Sequence, residues 1–105
     1  MAVCVVLTAV RDVRVGSVLA QSLVSKKLAA CVTVLPGAVS YYRWKGKREK
    51  SREALLLIKT TRKHWSALEV FLKEHHPYQL PEILMLPASK GSKEYVSWLN
   101  RSLKK

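Results

Sequence analysis

Two nearly continuous apolar runs, 3–8 and 54–58, constrain the fold of this chain most strongly. Strands buried on one face alternate apolar and polar residues, whereas continuous apolar runs are typical of strands that are covered on both faces. Both runs are therefore predicted to be central strands of one sheet. Neither approaches the ~18 apolar residues that a membrane-spanning helix needs, so no membrane partner is predicted.

Three helices are predicted from apolar residues that recur at intervals of three and four. Asp12 is expected to cap the first helix, Thr60 or Thr61 the second, and Gly91-Ser92 to open the third. Pro77 is expected to end the second helix. The predicted buried faces are Val15, Val18, Leu19, Ser22 and Leu23 in the first helix, Trp65, Leu68, Phe71, Leu72 and His75 in the second, and Tyr95, Trp98, Leu99 and Ser102 in the third.

A long hairpin is predicted between the first two helices. Its outgoing strand runs from Cys31 to about Trp44, and Pro36-Gly37 is expected to form a bulge on an edge strand, because proline cannot donate a ladder hydrogen bond. Lys45-Gly46-Lys47 looks like the hairpin tip, and the returning strand runs from about Arg52 to Thr60.

The arms of this hairpin extend beyond what a first strand of about six residues can cover. The overhang carries three aromatic residues, Tyr41, Tyr42 and Trp44. An uncovered edge with aromatic side chains favours pairing with another chain, so these residues are interpreted as interface residues. A last short strand is predicted from Glu82 to Leu86.

The order of elements predicts an α+β fold: a ferredoxin-like βαββαβ antiparallel sheet with an extra C-terminal helix and a long hairpin between the second and third strands. Residues 1–105 are expected to form a single domain of this type. The usual strand order, fourth, first, third, second, separates Cys4 from Cys31 by roughly 9–10 Å. Because a disulfide needs Cα atoms within about 7 Å, none is expected between them.

The formal net charge of +12 favours nucleic acid or an acidic membrane surface as a partner. A solvated basic surface is the other interpretation. RNA-recognition modules of this strand order need exposed aromatic residues on the first and third strands, and the runs 3–7 and 54–58 contain none. No sequence-specific nucleic acid partner is therefore predicted.

Several segments together resemble the CutA divalent-cation tolerance family. They are Lys27-Leu28-Ala29-Ala30-Cys31-Val32, Leu35-Pro36-Gly37, Tyr42-Arg43-Trp44-Lys45-Gly46-Lys47, Lys59-Thr60-Thr61, and His76-Pro77-Tyr78-Gln79-Leu80-Pro81-Glu82-Ile83, with Tyr95-Val96-Ser97-Trp98-Leu99 in the last helix. The resemblance implies a homotrimer formed by the long hairpins, weak binding of copper or other divalent cations, a role in the metal-ion response, and no enzymatic activity. The chain departs from the family at several positions. Leu7 stands where some members have a cysteine, Gln79 where an acidic residue is frequent, and Thr8-Ala9-Val10-Arg11-Asp12 where Pro-Asp often follows the first strand.

His76 and Glu82 are the candidate metal ligands. An imidazole and a carboxylate suit copper or zinc, although two ligands make a weak site. His75 diverges from His76 by about 100° on a helix, so the two cannot chelate together. The alternative for His76 is a structural hydrogen bond at the end of the helix.

No catalytic motif accompanies these residues: no nucleophile has a base partner, and Gly16 and Gly91 are isolated rather than part of a phosphate loop. A PII-like trimeric sensor that binds a small anionic ligand at clefts between subunits is the alternative function. Lys59 ends an apolar strand and could place a charge in a cleft near the base of the hairpin, or could simply leave the core for solvent. The N-terminus lacks a basic region before its apolar run, so we expect a cytoplasmic protein.

Overall fold

The computed structural model describes residues 2–105, so Met1, predicted to belong to the same domain, lies outside the described residues. The elements follow the predicted order: β1 (Val3–Val10), α1 (Val13–Ser25), β2 (Cys31–Trp44), β3 (Lys47–Thr61), α2 (Trp65–His75), β4 (Leu84–Pro87) and α3 (Lys93–Ser102). A 3₁₀ turn, Arg62–His64, precedes α2. None of the helices described is long and apolar enough to cross a membrane.

The four strands form one antiparallel sheet in the order β2-β3-β1-β4, which confirms the predicted ferredoxin-like arrangement. β1 pairs with β3 from Val3 opposite Thr61 to Val10 opposite Ala54, so both predicted central strands are central. Cys4 and Cys31 are both free thiols, as expected.

The main core lies between one face of the sheet and the helices α1 and α2. Its fully buried members include Val6, Leu23, Leu56, Ile58 and Leu72. Asp12 caps α1 as predicted, because its carboxylate accepts a hydrogen bond from the Val15 N–H at 2.9 Å.

The predicted buried face of α1 is wrong at Val18, which is 61% exposed. Gly16 is buried instead, and a Cβ atom placed there would lie 3.1 Å from Leu56 Cδ1 and 3.3 Å from Val34 Cγ1. The helix therefore approaches the sheet most closely at Gly16, and this rotates Val18 toward solvent.

The second helix also begins later than predicted. Thr61 makes no side-chain cap to the 3₁₀ turn; its hydroxyl pairs with His64 Nδ1 at 2.6 Å, and α2 starts at Trp65. Leu68, Phe71 and Leu72 are buried on α2, but His75 is exposed, contrary to the prediction. The last strand begins at Leu84, so Glu82 precedes it rather than opening it.

The other face of the sheet is covered only at one end. There α3 packs Leu99 and Leu103 against Val3 and Ala30, while Tyr95 and Trp98, predicted to share a buried face with Leu99, remain partly exposed. The rest of this surface lacks a helix and is mostly apolar. We call it the open face, and it consists of Val5, Leu7, Leu55, Leu57, Leu84 and Leu86.

Beyond the end of β1, the second and third strands continue as a two-stranded ribbon formed by residues 38–44 and 47–53. The pairing shifts register between Leu35 and Ala38, which confirms the bulge predicted at Pro36-Gly37. Lys45 (φ 50°) and Gly46 (φ 79°) form the tip, with the two positive φ values that a tight type I′ hairpin turn requires.

Candidate functional site

A cavity of about 500 Å³ lies at the base of the ribbon, against the segment that connects α2 to β4. It brings together the predicted ligand Glu82 and two of the predicted interface aromatics. The lining residues are Ala9, Tyr42, Trp44, Glu53, Pro77, Tyr78, Gln79, Leu80 and Glu82. Glu53 was not among the residues that the sequence identified as candidates.

Glu53 is the most buried acidic residue in this cavity, at 8% exposed. It lies on β3 one residue beyond the last pair with β1, and its carboxylate accepts a hydrogen bond from the Tyr78 hydroxyl at 2.8 Å. A buried carboxylate is costly unless it is hydrogen-bonded, so Tyr78 supplies a necessary partner. Burial and the bond to Glu53 both raise the pKa of Tyr78, so the phenol keeps the hydrogen that it donates.

His76 lies behind this pair and is also buried. It terminates α2 in an extended conformation, as expected for a residue that precedes proline. Its Nε2–H points to the Ala9 carbonyl at 3.0 Å and the Thr8 hydroxyl at 3.1 Å, and its Nδ1 accepts the Tyr78 N–H at 3.1 Å. These contacts fit the neutral imidazole with its proton on Nε2.

Burial lowers the pKa of His76, against the opposing effects of the Ala9 carbonyl and the charge of Glu53. The imidazole ring lies 5.0 Å from the Tyr78 ring, centroid to centroid. His76 therefore holds Tyr78 in the cavity wall through two contacts, one with its backbone N–H and one with its ring.

These hydrogen bonds define what metal binding by His76 requires. A cation could reach Nδ1 only by displacing the Tyr78 N–H, because neutral histidine offers a single lone pair. In the part of the chain that the structure describes, no group of three or more His, Cys, Asp and Glu side chains could hold a metal ion. The metal site at His76 and Glu82 thus remains a prediction. With only two ligands, such a site would bind a cation weakly.

Lys59 lies away from this cavity. It is opposite Val5 and Cys31 in the strand register, and its ammonium group donates to the Thr33 hydroxyl and lies 3.7 Å from Cys31 Sγ. The structure therefore places this positive charge among the residues of the open face rather than at the base of the ribbon.

A second cavity, also about 500 Å³, is basic. It lies between the start of α2 and the C-terminal end of the chain, lined by Thr61, Lys63, His64, Asn100, Leu103, Lys104 and Lys105. Burial lowers the pKa of His64, and the charges of Lys63 and Lys105 lower it further. This cavity is electrostatically suited to an anion.

One sequence signal could have identified Glu53. It is the acidic residue that directly precedes the apolar run of β3, at the point where the ribbon meets the covered sheet. A charge at such a boundary is solvated in most proteins, and only the three-dimensional structure shows that Tyr78 and the cavity wall cover it.

Comparison with known proteins identifies relatives of this chain. A family profile described as "CutA1 divalent ion tolerance protein" matches residues 4–102. The divalent-cation tolerance protein CutA of Yersinia pestis is 50% identical over 99 residues, which cover 94% of this chain and 83% of that protein.

Two solved structures are similar throughout. CutA from Xylella fastidiosa has 41% identity and a TM-score of 0.95, covering 99% of this chain and all of that one. The periplasmic divalent cation tolerance protein CutA from Archaeoglobus fulgidus has 27% identity and a TM-score of 0.94, covering 97% and 99%.

Proposed function

This chain belongs to the CutA divalent-ion tolerance family, and on that premise we propose that it is a homotrimer that binds divalent cations weakly in the response to metal ions. The proposal includes a single domain over residues 1–105, a cytoplasmic location, and no catalytic activity. The observation that carries it is the open face of the sheet, together with the cavity at the base of the ribbon.

The open face supports self-association because it is a continuous apolar surface. Leu7 is in register with Leu57 on one side and Leu84 on the other, and Leu86 lies beside Val5 in the next row. Burying an exposed leucine is worth about 1.5–3 kcal/mol. Two further copies of the same chain would cover this surface, because the family resemblance implies a trimer.

The cavity supports cation binding because it gathers two carboxylates in a chain of net charge +12. Glu53 is held in place by Tyr78, and Glu82 lines the same cavity. Copper(II) is at the top of the affinity order for nitrogen and oxygen donors, so it is expected to bind most tightly among first-row divalent ions.

The hydrogen bonds of the cavity also support a role without catalysis. A general base needs a free lone pair near the proton that it accepts, and the lone pair of His76 already accepts the Tyr78 N–H. The raised pKa of Tyr78 likewise keeps its hydroxyl protonated at neutral pH.

Calorimetric titration of copper(II) into dialysed, untagged protein tests the cation proposal. We expect weak binding that is reduced in Glu82→Gln and in His76→Ala. Acid should abolish it once protons occupy the imidazole, at a pH below the ordinary histidine range because burial lowers the pKa of His76. His75→Ala is the control, because His75 is exposed and its Nδ1 is bonded to the Phe71 carbonyl. Unchanged binding in both test variants would place the cation elsewhere, and equal losses in all three would indicate nonspecific surface binding.

The alternative function, a trimeric sensor for a small anion, is favoured by the second cavity with Lys63, Lys104 and Lys105. Inorganic phosphate or sulfate would then raise the melting temperature of the wild type, and Lys63→Gln would reduce this effect. Stabilisation by copper(II) but not by these anions would favour cation binding.

A further inference from the structure

The ribbon has two chemically different faces. In an antiparallel pair, residues directly opposite each other project from the same face, and the face alternates along each strand. Tyr42, Trp44 and Glu53 all line the cavity, so the pairs that contain them face the body of the protein. The opposite face, which we call the basic face, consists of the pairs Val39 with Arg52, Tyr41 with Lys50, and Arg43 with Arg48.

The basic face carries four cations and no carboxylate. Arg43 lies directly opposite Arg48, an arrangement of like charges that destabilises a pair of strands. The ion pairs among residues 2–105 join Arg11 to Asp12 and Lys73 to Glu69, and neither involves the ribbon. A negatively charged group bound between Arg43 and Arg48 would remove this repulsion.

Tyr41 lies among these cations and, at 74%, is the most exposed of the large hydrophobic side chains that the structure describes. The Lys50 ammonium group lies 5.7 Å from the centroid of its ring, so the cation and the ring face form one surface. Proteins that bind single-stranded nucleic acid combine exposed aromatic rings with positive charges: the ring stacks on a base, and the cations neutralise phosphates.

Assembly of the proposed trimer is compatible with an accessible basic face. The chain has 19 Lys and Arg but only 7 Asp and Glu, and Glu53 is already buried in the cavity. Covering the basic face with another copy would desolvate four cations, and that copy has few carboxylates to pair with them, which is unfavourable. The opposite face, with Tyr42 and Trp44, is the better surface for contact between subunits.

We propose that the basic face of the ribbon binds single-stranded nucleic acid through its phosphate backbone, with Tyr41 stacking on a base and with no sequence preference. A guanidinium group binds phosphate oxygens in a bidentate manner, and Arg43 and Arg48 offer two such groups from opposite positions on paired strands. Three subunits would present three such faces, which increases the binding of a long strand by avidity. The proposal goes beyond metal tolerance and does not depend on a metal site.

Fluorescence anisotropy with a labelled oligothymidylate and a labelled mixed-sequence oligonucleotide tests the proposal over a range of salt concentrations. The test variant is Arg43→Gln/Arg48→Gln, and the control is Lys90→Gln/Lys93→Gln, which removes two exposed charges outside the ribbon. Losing two phosphate contacts should lower the slope of log affinity against log salt by about 1.4 in the test variant. The control should keep nearly the wild-type slope.

Melting temperatures show whether the variants are folded. Because the test variant removes the repulsion between Arg43 and Arg48, its melting temperature should equal or exceed that of the wild type. Tyr41→Ala should weaken single-strand binding about fivefold or more while leaving duplex binding unchanged. Equal losses in test and control variants would overturn the proposal, as would a strong preference for one of the two oligonucleotides. Binding to vesicles of anionic phospholipid but to neither oligonucleotide would also overturn it.

Discussion

Tyr78 donates its hydroxyl hydrogen to the buried carboxylate of Glu53 at 2.8 Å, and so joins two residues that are 25 positions apart in the sequence. The same tyrosine donates its backbone N–H to His76. One residue therefore connects the base of the ribbon to the end of α2. This explains how the connection between α2 and β4, most of which has no regular secondary structure, forms a defined cavity wall.

Removing the hydroxyl should measure the strength of this connection. Tyr78→Phe leaves the Glu53 carboxylate buried without its donor, and we expect the free energy of unfolding to fall by about 1–3 kcal/mol. Urea denaturation measures the change. In a double-mutant cycle with Glu53→Gln, the two losses should not add, because both variants affect the same bond. Additive losses would show that the bond contributes nothing.

Acid should destabilise the protein through its histidines. The pKa of His76 is lowered by burial, so below about pH 6.5 the unfolded chain binds a proton that the folded chain resists. Stability should therefore decrease as the pH falls from about 6.5 toward the lowered pKa of the folded state, and be constant above that range.

Two variants separate the contributions to this pH dependence. In His76→Gln, the midpoint of unfolding should decrease less as the pH falls than it does in the wild type. His64→Gln should remove a separate portion, because burial and the charges of Lys63 and Lys105 lower the pKa of His64 as well. A wild-type midpoint that rises as the pH falls would contradict the assigned direction.

The close approach of α1 to the sheet predicts an unfavourable effect of Gly16→Ala. Alanine gains about 1 kcal/mol in helix propensity, but its Cβ would lie 3.1 Å from the fully buried Leu56. Overpacking a buried contact costs about 1–3 kcal/mol, so a net loss of stability is expected. Val18→Ala, at an exposed position of the same helix, is the control and should change the melting temperature little. A more stable Gly16→Ala variant would show that the sheet yields at this contact.

The open face predicts that a charge on β4 breaks the assembly without unfolding the subunit. Leu84 is 57% exposed in the single chain, so Leu84→Lys should dissociate the oligomer while the subunit keeps its far-ultraviolet circular dichroism spectrum. Val70→Lys is a matched control, because Val70 is equally exposed, at 57%, but lies on α2 on the other side of the sheet. Size-exclusion chromatography compares the two variants. Equal effects would mean that the open face is not the interface.

The topology could be predicted from the sequence because the strongest signals are local. The apolar runs of β1 and β3, the Asp12 cap and the bulge after Leu35 each depend on residues close together in the chain, and the structure confirms them. The third helix shows the limit of such patterns. Its periodicity identifies an apolar side that includes Tyr95 and Trp98, but it does not say what covers that side, and within one subunit these two residues remain partly exposed.

The candidate site was less predictable because its contacts join distant parts of the chain. His76 was selected as a ligand from its position, but its three hydrogen-bond partners come from β1 (Thr8 and Ala9) and from the connection that follows α2 (Tyr78). The burial of Glu53 depends on Tyr78 and on the other residues of the cavity wall, which lie far from it in the sequence. Neither feature has a local sequence signature.

Static light scattering of the purified protein, measured over a series of micromolar concentrations, tests the proposed assembly most directly. We expect a molar mass of three times the 11.9 kDa of one chain, because assembly removes the apolar open face from water. A mass of 11.9 kDa at every concentration would contradict the trimer, and with it the role assigned to the open face.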